Sequence, residues 1–137
     1  MTAGSPVETG TILVVDDQQE TRRLVERALT GSGYQVLAAS GGTEAVALVQ
    51  AHPGSIHLLI SEVLLWGMTG AELYGRIRQH HRQLRVLFMS GYTEEVLRQH
   101  GVYSASVPVL KKPFGPPALV DKVRQVLRSS DSISTGH

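Results

Sequence analysis

Acidic, hydroxyl and basic side chains follow the apolar runs of this chain, at the point where each run ends. Asp16 ends TILVVD and Asp17 follows it, Glu62 ends HLLISE, Ser90 ends RVLFMS, and the pair Lys111–Lys112 follows VPVL. Clustered carboxylates repel one another unless a cation neutralises them, and Mg²⁺ prefers such oxygen ligands. A lysine ammonium acts as a point charge for a phosphate or carboxylate. Together these residue types predict Mg²⁺-assisted phosphoryl transfer onto a carboxylate.

Five apolar runs must position these side chains, and they cover residues 11–16, 35–40, 57–62, 85–90 and 107–110. Short, nearly continuous apolar runs are typical of strands that are buried on both faces of a parallel sheet. Segments with apolar residues at helical spacing lie between them. GSG at 31–33 and HPG at 52–54 predict helix ends. Five strand–helix repeats predict an α/β fold with a doubly wound parallel sheet.

The order of the strands decides whether the polar side chains can meet. Pro108 lies in the fifth run, and proline belongs on edge strands. An edge position for the fifth strand agrees with the flavodoxin-like order 2-1-3-4-5. In that order the carboxyl ends of the central strands border one crevice. The sequence therefore predicts that the acids, the serine and a lysine converge there.

The composition indicates a single globular domain. A chain of 137 residues with 42% hydrophobic and 18% charged residues can bury a core. It has no cysteine, no secretory signal and no apolar run of the roughly 18–20 residues that a membrane span needs, so we expect a cytoplasmic protein without membrane contact. The net charge of +1 and scattered basic residues disfavour a nucleic-acid partner. We expect a domain over residues 11–128, with disordered ends at 1–10 and 129–137.

Four segments of the chain resemble a known family. ILVVDDQQETR, LLISEVLLWGMTG, VLFMSGYTEE and LKKPFGPPAL are similar, in order and spacing, to the signature segments of response-regulator receiver domains, especially those attached to hybrid histidine kinases. The resemblance implies a single-domain flavodoxin-like (βα)5 fold and a non-enzymatic part in a two-component phosphorelay. It implies a histidine kinase or another signalling protein as the partner. It leaves open a homodimer through the face of the fourth helix, fifth strand and fifth helix.

The resemblance also implies roles for individual residues. Asp16 and Asp17 take the place of the acid pair that binds Mg²⁺, with Glu62 and Leu64 as further metal ligands. Glu62 stands at the position of the aspartate that accepts a phosphoryl group from a kinase histidine. Ser90 and Lys112 complete the set of catalytic positions as the hydroxyl and the ammonium. The bond from Lys112 to the next residue, a proline, is expected to be cis, and the other lysine of the pair is expected to face solvent.

Three positions depart from the family pattern: Glu62 replaces the aspartate, Trp66 replaces a loop proline, and Val109 replaces an aromatic switch residue. The extra methylene of glutamate moves the carboxylate roughly 1.3–1.5 Å outward. There it can pair with Lys112, accept from Ser90 and imitate part of the charge of an aspartyl phosphate. The departures predict a pseudo-receiver that acts by protein–protein interaction.

Other readings stay open. In one alternative, Glu62 itself still works, feebly, as the phosphoacceptor or as a Mg²⁺ ligand of a conventional Mg²⁺-dependent receiver. A small aspartyl phosphotransferase or phosphatase is disfavoured, because no insertion is long enough for a substrate-selecting cap. An FMN-binding domain is disfavoured because the segment after the first strand is acidic.

The acid pair could instead cap the first helix, and Trp66 either packs over the third helix or anchors a partner. A histidine metal site is disfavoured, because no two histidines stand at i, i+4.

Overall fold

Strands and helices alternate along the described part of the chain, which in this computed structural model comprises residues 10–99 and 107–129, without the side chain of Glu94. The strands are β1 (Thr11–Val15), β2 (Gln35–Ala39), β3 (Leu58–Glu62), β4 (Leu64–Leu65), β5 (Met68–Thr69), β6 (Arg85–Ser90) and β7 (Val109–Lys111). The helices are α1 (Gln19–Gly31), α2 (Gly42–Ala51), α3 (Gly70–Arg78), α4 (Glu94–Gln99) and α5 (Pro116–Arg128).

Five of the strands form one parallel sheet in the order β2-β1-β3-β6-β7. This confirms the predicted flavodoxin-like order 2-1-3-4-5, because β4 and β5 form a separate two-stranded hairpin between β3 and α3. The edge position of β7 is also confirmed. Pro108 immediately precedes β7, and its carbonyl accepts a hydrogen bond from the Phe88 amide at 3.0 Å. The proline thus joins the ladder through its acceptor alone, since it has no N–H to donate.

The central strands are mostly apolar because both faces of the sheet are covered. Ile12 and Val14 of β1 belong to a cluster with buried residues of α1 and α5. Leu13 and Val15 belong to a second cluster with buried residues of α2 and α3. Successive side chains of a strand point to opposite faces, so each face needs its own apolar positions. The near-continuous runs of the sequence follow directly from this arrangement.

The helix ends lie where the sequence predicted them. Helix α1 ends at Gly31, and Gly33 adopts a positive φ of 102°, a conformation that glycine reaches without steric cost. Helix α2 ends at Ala51, directly before HPG. Helix α3 begins with a capping box in which Thr69 and Glu72 satisfy each other's main-chain amides. These local signals mark where α1 and α2 end and where α3 begins along the chain.

The two ends predicted to be disordered fall largely outside the described residues, at 1–9 and 130–137. Gly10 and Ser129 are described, and both make main-chain hydrogen bonds. Within residues 10–99 and 107–129, no helix is long and apolar enough to cross a membrane.

Gly70 lies where α3 approaches the end of β3 most closely. A Cβ at this position would lie 2.6 Å from the Glu62 carbonyl oxygen and 2.9 Å from the Ser61 hydroxyl. We expect Gly70→Ala to lower the free energy of unfolding by about 1–3 kcal/mol, because this packing leaves no room for a methyl group. Urea unfolding measures the change. Gly75→Ala in the same helix is the control, since a Cβ there meets nothing within 4 Å, and it is expected to stabilise by roughly 0.5–1 kcal/mol. Equal effects of the two substitutions would contradict the prediction.

Candidate functional site at the carboxyl edge of the sheet

The sheet brings four of the predicted site residues to one edge. Asp16 follows β1, Glu62 ends β3, Ser90 ends β6 and Lys112 follows β7. Asp16 is fully buried and Glu62 is only 8% exposed. Because β1, β3, β6 and β7 are successive neighbours in the parallel sheet, their carboxyl ends border the same pocket. The pocket has a volume of about 730 Å³.

The ammonium of Lys112 lies at the centre of this group. Its Nζ lies 2.6 Å from Glu62 Oε1 and 2.7 Å from Asp16 Oδ2. It also donates to Gln18 Oε1 at 2.8 Å. The lysine is held in place by its own main chain, because its amide donates to the Ser90 carbonyl at 2.8 Å, and its bond to Pro113 is cis as expected. The predicted pairing of Glu62 with Lys112 is therefore present.

Burial and charge act in opposite directions on this ion pair. Burial raises the pKa of the Glu62 carboxyl above its ordinary value, and the neighbouring charge of Asp16 adds to this rise. The hydrogen bond and the charge of Lys112 offset part of it. For Lys112, burial alone would lower the pKa, but the contacts with Asp16 and Glu62 and the charges of these two acids together raise it. The ammonium therefore keeps its proton beside two acids.

Ser90 does not contact Glu62 as predicted. It is buried at the end of β6, and its Oγ accepts a hydrogen bond from the Tyr92 amide at 2.9 Å. The second oxygen of Glu62 accepts instead from the Val63 amide at 3.2 Å. In the part of the chain that the structure describes, no hydrogen bond joins Ser90 to Glu62. The predicted contact is absent: Ser90 Oγ lies beside the Tyr92 amide, and the Glu62 oxygens accept from Lys112 and from the Val63 amide.

The acid pair separates into a buried and an exposed member. Asp16 Oδ1 accepts from the Gln18 amide at 2.8 Å, whereas Asp17 is exposed and lines the pocket. Neither aspartate is the N-cap of α1, a position held by Gln18. Over residues 10–99 and 107–129, no three His, Asp or Glu side chains group closely enough to hold a metal ion. The predicted convergence of three carboxylates is therefore not observed.

The remaining donors still fit a divalent cation in their chemistry. Asp16 Oδ2 is buried and accepts no hydrogen bond of acceptable geometry from the described residues, so the Lys112 ammonium meets it only as an ion pair. Asp17, Glu62 and Leu64 line the adjoining pocket. Mg²⁺ commonly takes one or two carboxylates and keeps several waters. Leucine can offer such an ion only its main-chain carbonyl.

Gln18 is the residue of this site that sequence reasoning missed. It follows the acid pair directly, and that adjacency to a strand end was the available signal. A neutral amide carries no charge pattern, so its contact with a lysine 94 residues away depends on the fold. Lys111 is exposed, as expected.

The structure also places Trp66 and His57, two residues that the sequence analysis considered. Trp66 is 92% exposed at the turn of the β4–β5 hairpin, so the interpretation that it packs over α3 is wrong. His57 precedes β3 at the opposite edge of the sheet, where its Nδ1 accepts from the Thr11 amide at 2.9 Å. That histidine has a structural contact far from the acids.

Comparison with known proteins agrees with this architecture. The family model described as the response regulator receiver domain matches residues 12–124. This chain belongs to that family. The receiver is 30% identical over 123 residues to sensor kinase CckA of Brucella abortus (strain 2308), covering 90% of this chain and 13% of the kinase. It is 32% identical over 124 residues to the probable transcriptional regulator ycf27 of Porphyra purpurea, covering 90% of this chain and 50% of the regulator.

A solved structure of a related receiver domain has the same fold as this chain. This chain superposes with a TM-score of 0.71 on the crystal structure of the receiver domain from hybrid histidine kinase CckA, at 34% identity, over 87% of this chain and 100% of that one. The receiver thus spans at most about half the length of the curated relatives named above. The chain is a receiver domain of the two-component signalling type, a family that generally binds Mg²⁺ and interacts with histidine kinases and other signalling proteins.

Proposed function

We propose that this receiver is a pseudo-receiver, in which Glu62 stands permanently in place of a phosphorylated aspartate. The observation that carries the proposal is the 2.6 Å contact between Glu62 Oε1 and the ammonium of Lys112. The glutamate carries about one negative charge, against −1.5 to −2 for a phosphate. It therefore reproduces the ion pair of the modified state in part and without a donor.

The same contacts make Glu62 a poor acceptor of phosphate. Each of its two oxygens accepts a hydrogen bond, one from Lys112 and one from the Val63 amide, so the carboxylate is held in one orientation. The side chain is also one methylene longer than aspartate, and a misplacement of about 1 Å can cost on the order of 10²-fold in rate. The length of the Glu62 side chain and its hydrogen bonds both favour a binding module rather than an enzyme.

Under this proposal Ser90 and Lys112 keep the positions of the family's hydroxyl and ammonium, but they serve a fixed state. Lys112 is the counter-ion of Glu62, and Ser90 holds the β6–α4 loop through its bond with the Tyr92 amide. The receiver then acts on a histidine kinase or another signalling protein by docking alone. The exposed indole of Trp66, next to the pocket-lining strand β4, is a suitable anchor for such a partner.

We further propose that Mg²⁺ is bound weakly, by Asp16 and Asp17, with an oxygen of Glu62 and the Leu64 carbonyl as further donors. The ion would supply positive charge to the acids. The buried Asp16 Oδ2, which accepts no hydrogen bond from the described residues, supports this assignment, while the Lys112 ammonium competes for the same oxygen. Dependence on added Mg²⁺ of any phosphorylation at position 62 tests this role.

The proposed function is tested by incubating the full chain with acetyl phosphate and Mg²⁺. We expect no stoichiometric, hydroxylamine-labile phosphoryl label, because Glu62 is too long and too well paired to attack. A conventional receiver of low activity is the second candidate. Stoichiometric label located on Glu62 by mass spectrometry would establish that candidate and exclude the pseudo-receiver.

A further inference from the structure

Three oxygens surround the Lys112 ammonium, two of them as hydrogen-bond acceptors and one as an ion-pair partner. Nζ lies 2.6 Å from Glu62 Oε1, 2.7 Å from Asp16 Oδ2 and 2.8 Å from Gln18 Oε1. An ammonium has three protons to donate and accepts nothing. Oxygens of this chain therefore already lie at contact distance on three sides of the ammonium, and a new anion reaches it by replacing one of them.

Gln18 is anchored so that its amide oxygen stays beside the lysine. Its main-chain amide donates to Asp16 Oδ1 at 2.8 Å, which ties Gln18 to the same carboxylate that contacts Lys112. As the N-cap of α1 it makes no capping hydrogen bond with its side chain. The amide oxygen is thus free to accept from Lys112, and it accepts only a further long bond of 3.4 Å from the Thr21 hydroxyl.

Gln18 is also the weakest of the three partners. Asp16 and Glu62 are charged and buried, and charged, desolvated acceptors form the stronger bonds to an ammonium. Gln18 is neutral and exposed. An anion that enters the pocket would displace the glutamine before either acid.

We propose that Gln18 is a positioning residue of this pocket: its amide oxygen accepts a hydrogen bond from the Lys112 ammonium on the side that Asp16 and Glu62 leave open, so that an entering phosphate-like anion must displace Gln18 to reach the lysine. The first part of this proposal, that Gln18 holds the Lys112 ammonium in position, does not depend on the proposed function. Competition with an anion does rest on it, because it assumes that only the length of Glu62 prevents anion binding.

The holding of the ammonium is tested by the ¹H–¹⁵N signals of lysine side chains, which are visible when ammonium protons exchange slowly. The chain has three lysines, so Lys112→Met assigns the signal. We expect Gln18→Leu to accelerate exchange of the Lys112 ammonium about threefold or more, as loss of an exposed charged hydrogen bond predicts. Gln18→Glu keeps an oxygen and should keep the signal. Gln19→Leu, at the exposed next position, is the matched control. Unchanged exchange in Gln18→Leu would overturn the proposal.

Competition is tested with beryllofluoride, a phosphate-like anion, in the Glu62→Asp background. Adding Gln18→Leu is expected to tighten beryllofluoride binding about two- to fivefold, because one hydrogen bond to Lys112 no longer has to break. Adding Gln19→Leu should leave the affinity unchanged. Equal or weaker binding with Gln18→Leu would refute competition. Absence of binding in every Glu62→Asp protein would instead contradict the proposed function, and the ammonium signal would still decide the role of Gln18.

Discussion

Glu62→Asp is expected to accept phosphate from acetyl phosphate at least about 10²-fold faster than the wild-type receiver, because the shorter side chain restores the reach that in-line attack requires. The pocket otherwise holds the parts that the reaction needs. Lys112 Nζ lies 2.6 Å from the Glu62 carboxylate, and Asp16 and Asp17 are the proposed Mg²⁺ ligands. The measurement is the rate of hydroxylamine-labile labelling, followed by mass spectrometry of the full chain.

Two comparisons make this result specific. Glu62→Gln removes the carboxylate while it keeps the length of the side chain, and it should stay unlabelled. Chelation of Mg²⁺ should abolish labelling of Glu62→Asp, which also tests the proposed metal role. An unlabelled Glu62→Asp protein would show that the glutamate alone does not silence the site, and attention would pass to Trp66 and Val109, the other departures from the family pattern.

Lys112→Met is expected to lower the free energy of unfolding by about 3 kcal/mol at neutral pH, because it removes one partner of a buried charge pair and leaves the others uncompensated. Asp16 is fully buried and the Glu62 side chain is only 10% exposed, so water cannot replace the ammonium well. Chemical denaturation measures the loss. The matched control is Lys111→Met at the exposed neighbouring position, which is expected to change stability by less than about 0.5 kcal/mol.

The loss in Lys112→Met should depend on pH with a defined sign. Without Lys112, the group that lowers the pKa of Glu62 is gone, while burial and Asp16 still raise it. Below the ordinary value of 4.5, Glu62 is protonated in the folded and the unfolded chain and contributes no penalty. As the pH rises from that value through the raised pKa, only the unfolded chain loses its proton, so the folded state loses stability. A destabilisation that grows as the pH falls would contradict this account.

Sequence patterns predicted most of the fold because they report local physics. The alternation that places Ile12 on one face of β1 and Leu13 on the other is visible as a continuous apolar run. Pro108 indicated the edge strand because a missing N–H is a property of one residue. The pairing of Glu62 with Lys112 followed from the strand order, since neighbouring parallel strands end at the same edge.

The partner of Ser90 and the exposure of Trp66 depended on local geometry that sequence patterns do not report. Ser90 bonds the Tyr92 amide rather than Glu62, and hydrogen bonds weaken steeply with small changes in angle. Trp66 is exposed because β4 and β5 form a hairpin that carries its turn into solvent, whereas spacing alone also allowed it to pack on α3.

By itself the sequence determined the buried faces of the sheet, which depend on periodicity, and through Pro108 it indicated the edge strand of a flavodoxin-like order. It also indicated the meeting of an acid with a lysine, because parallel strands all end at the same edge of the sheet. Only the tertiary structure decided which oxygens surround the Lys112 ammonium, and in particular that Gln18 is one of them. A donor within a folded pocket takes whichever acceptors lie within about 3 Å at a suitable angle, and that proximity arises between residues far apart in the chain.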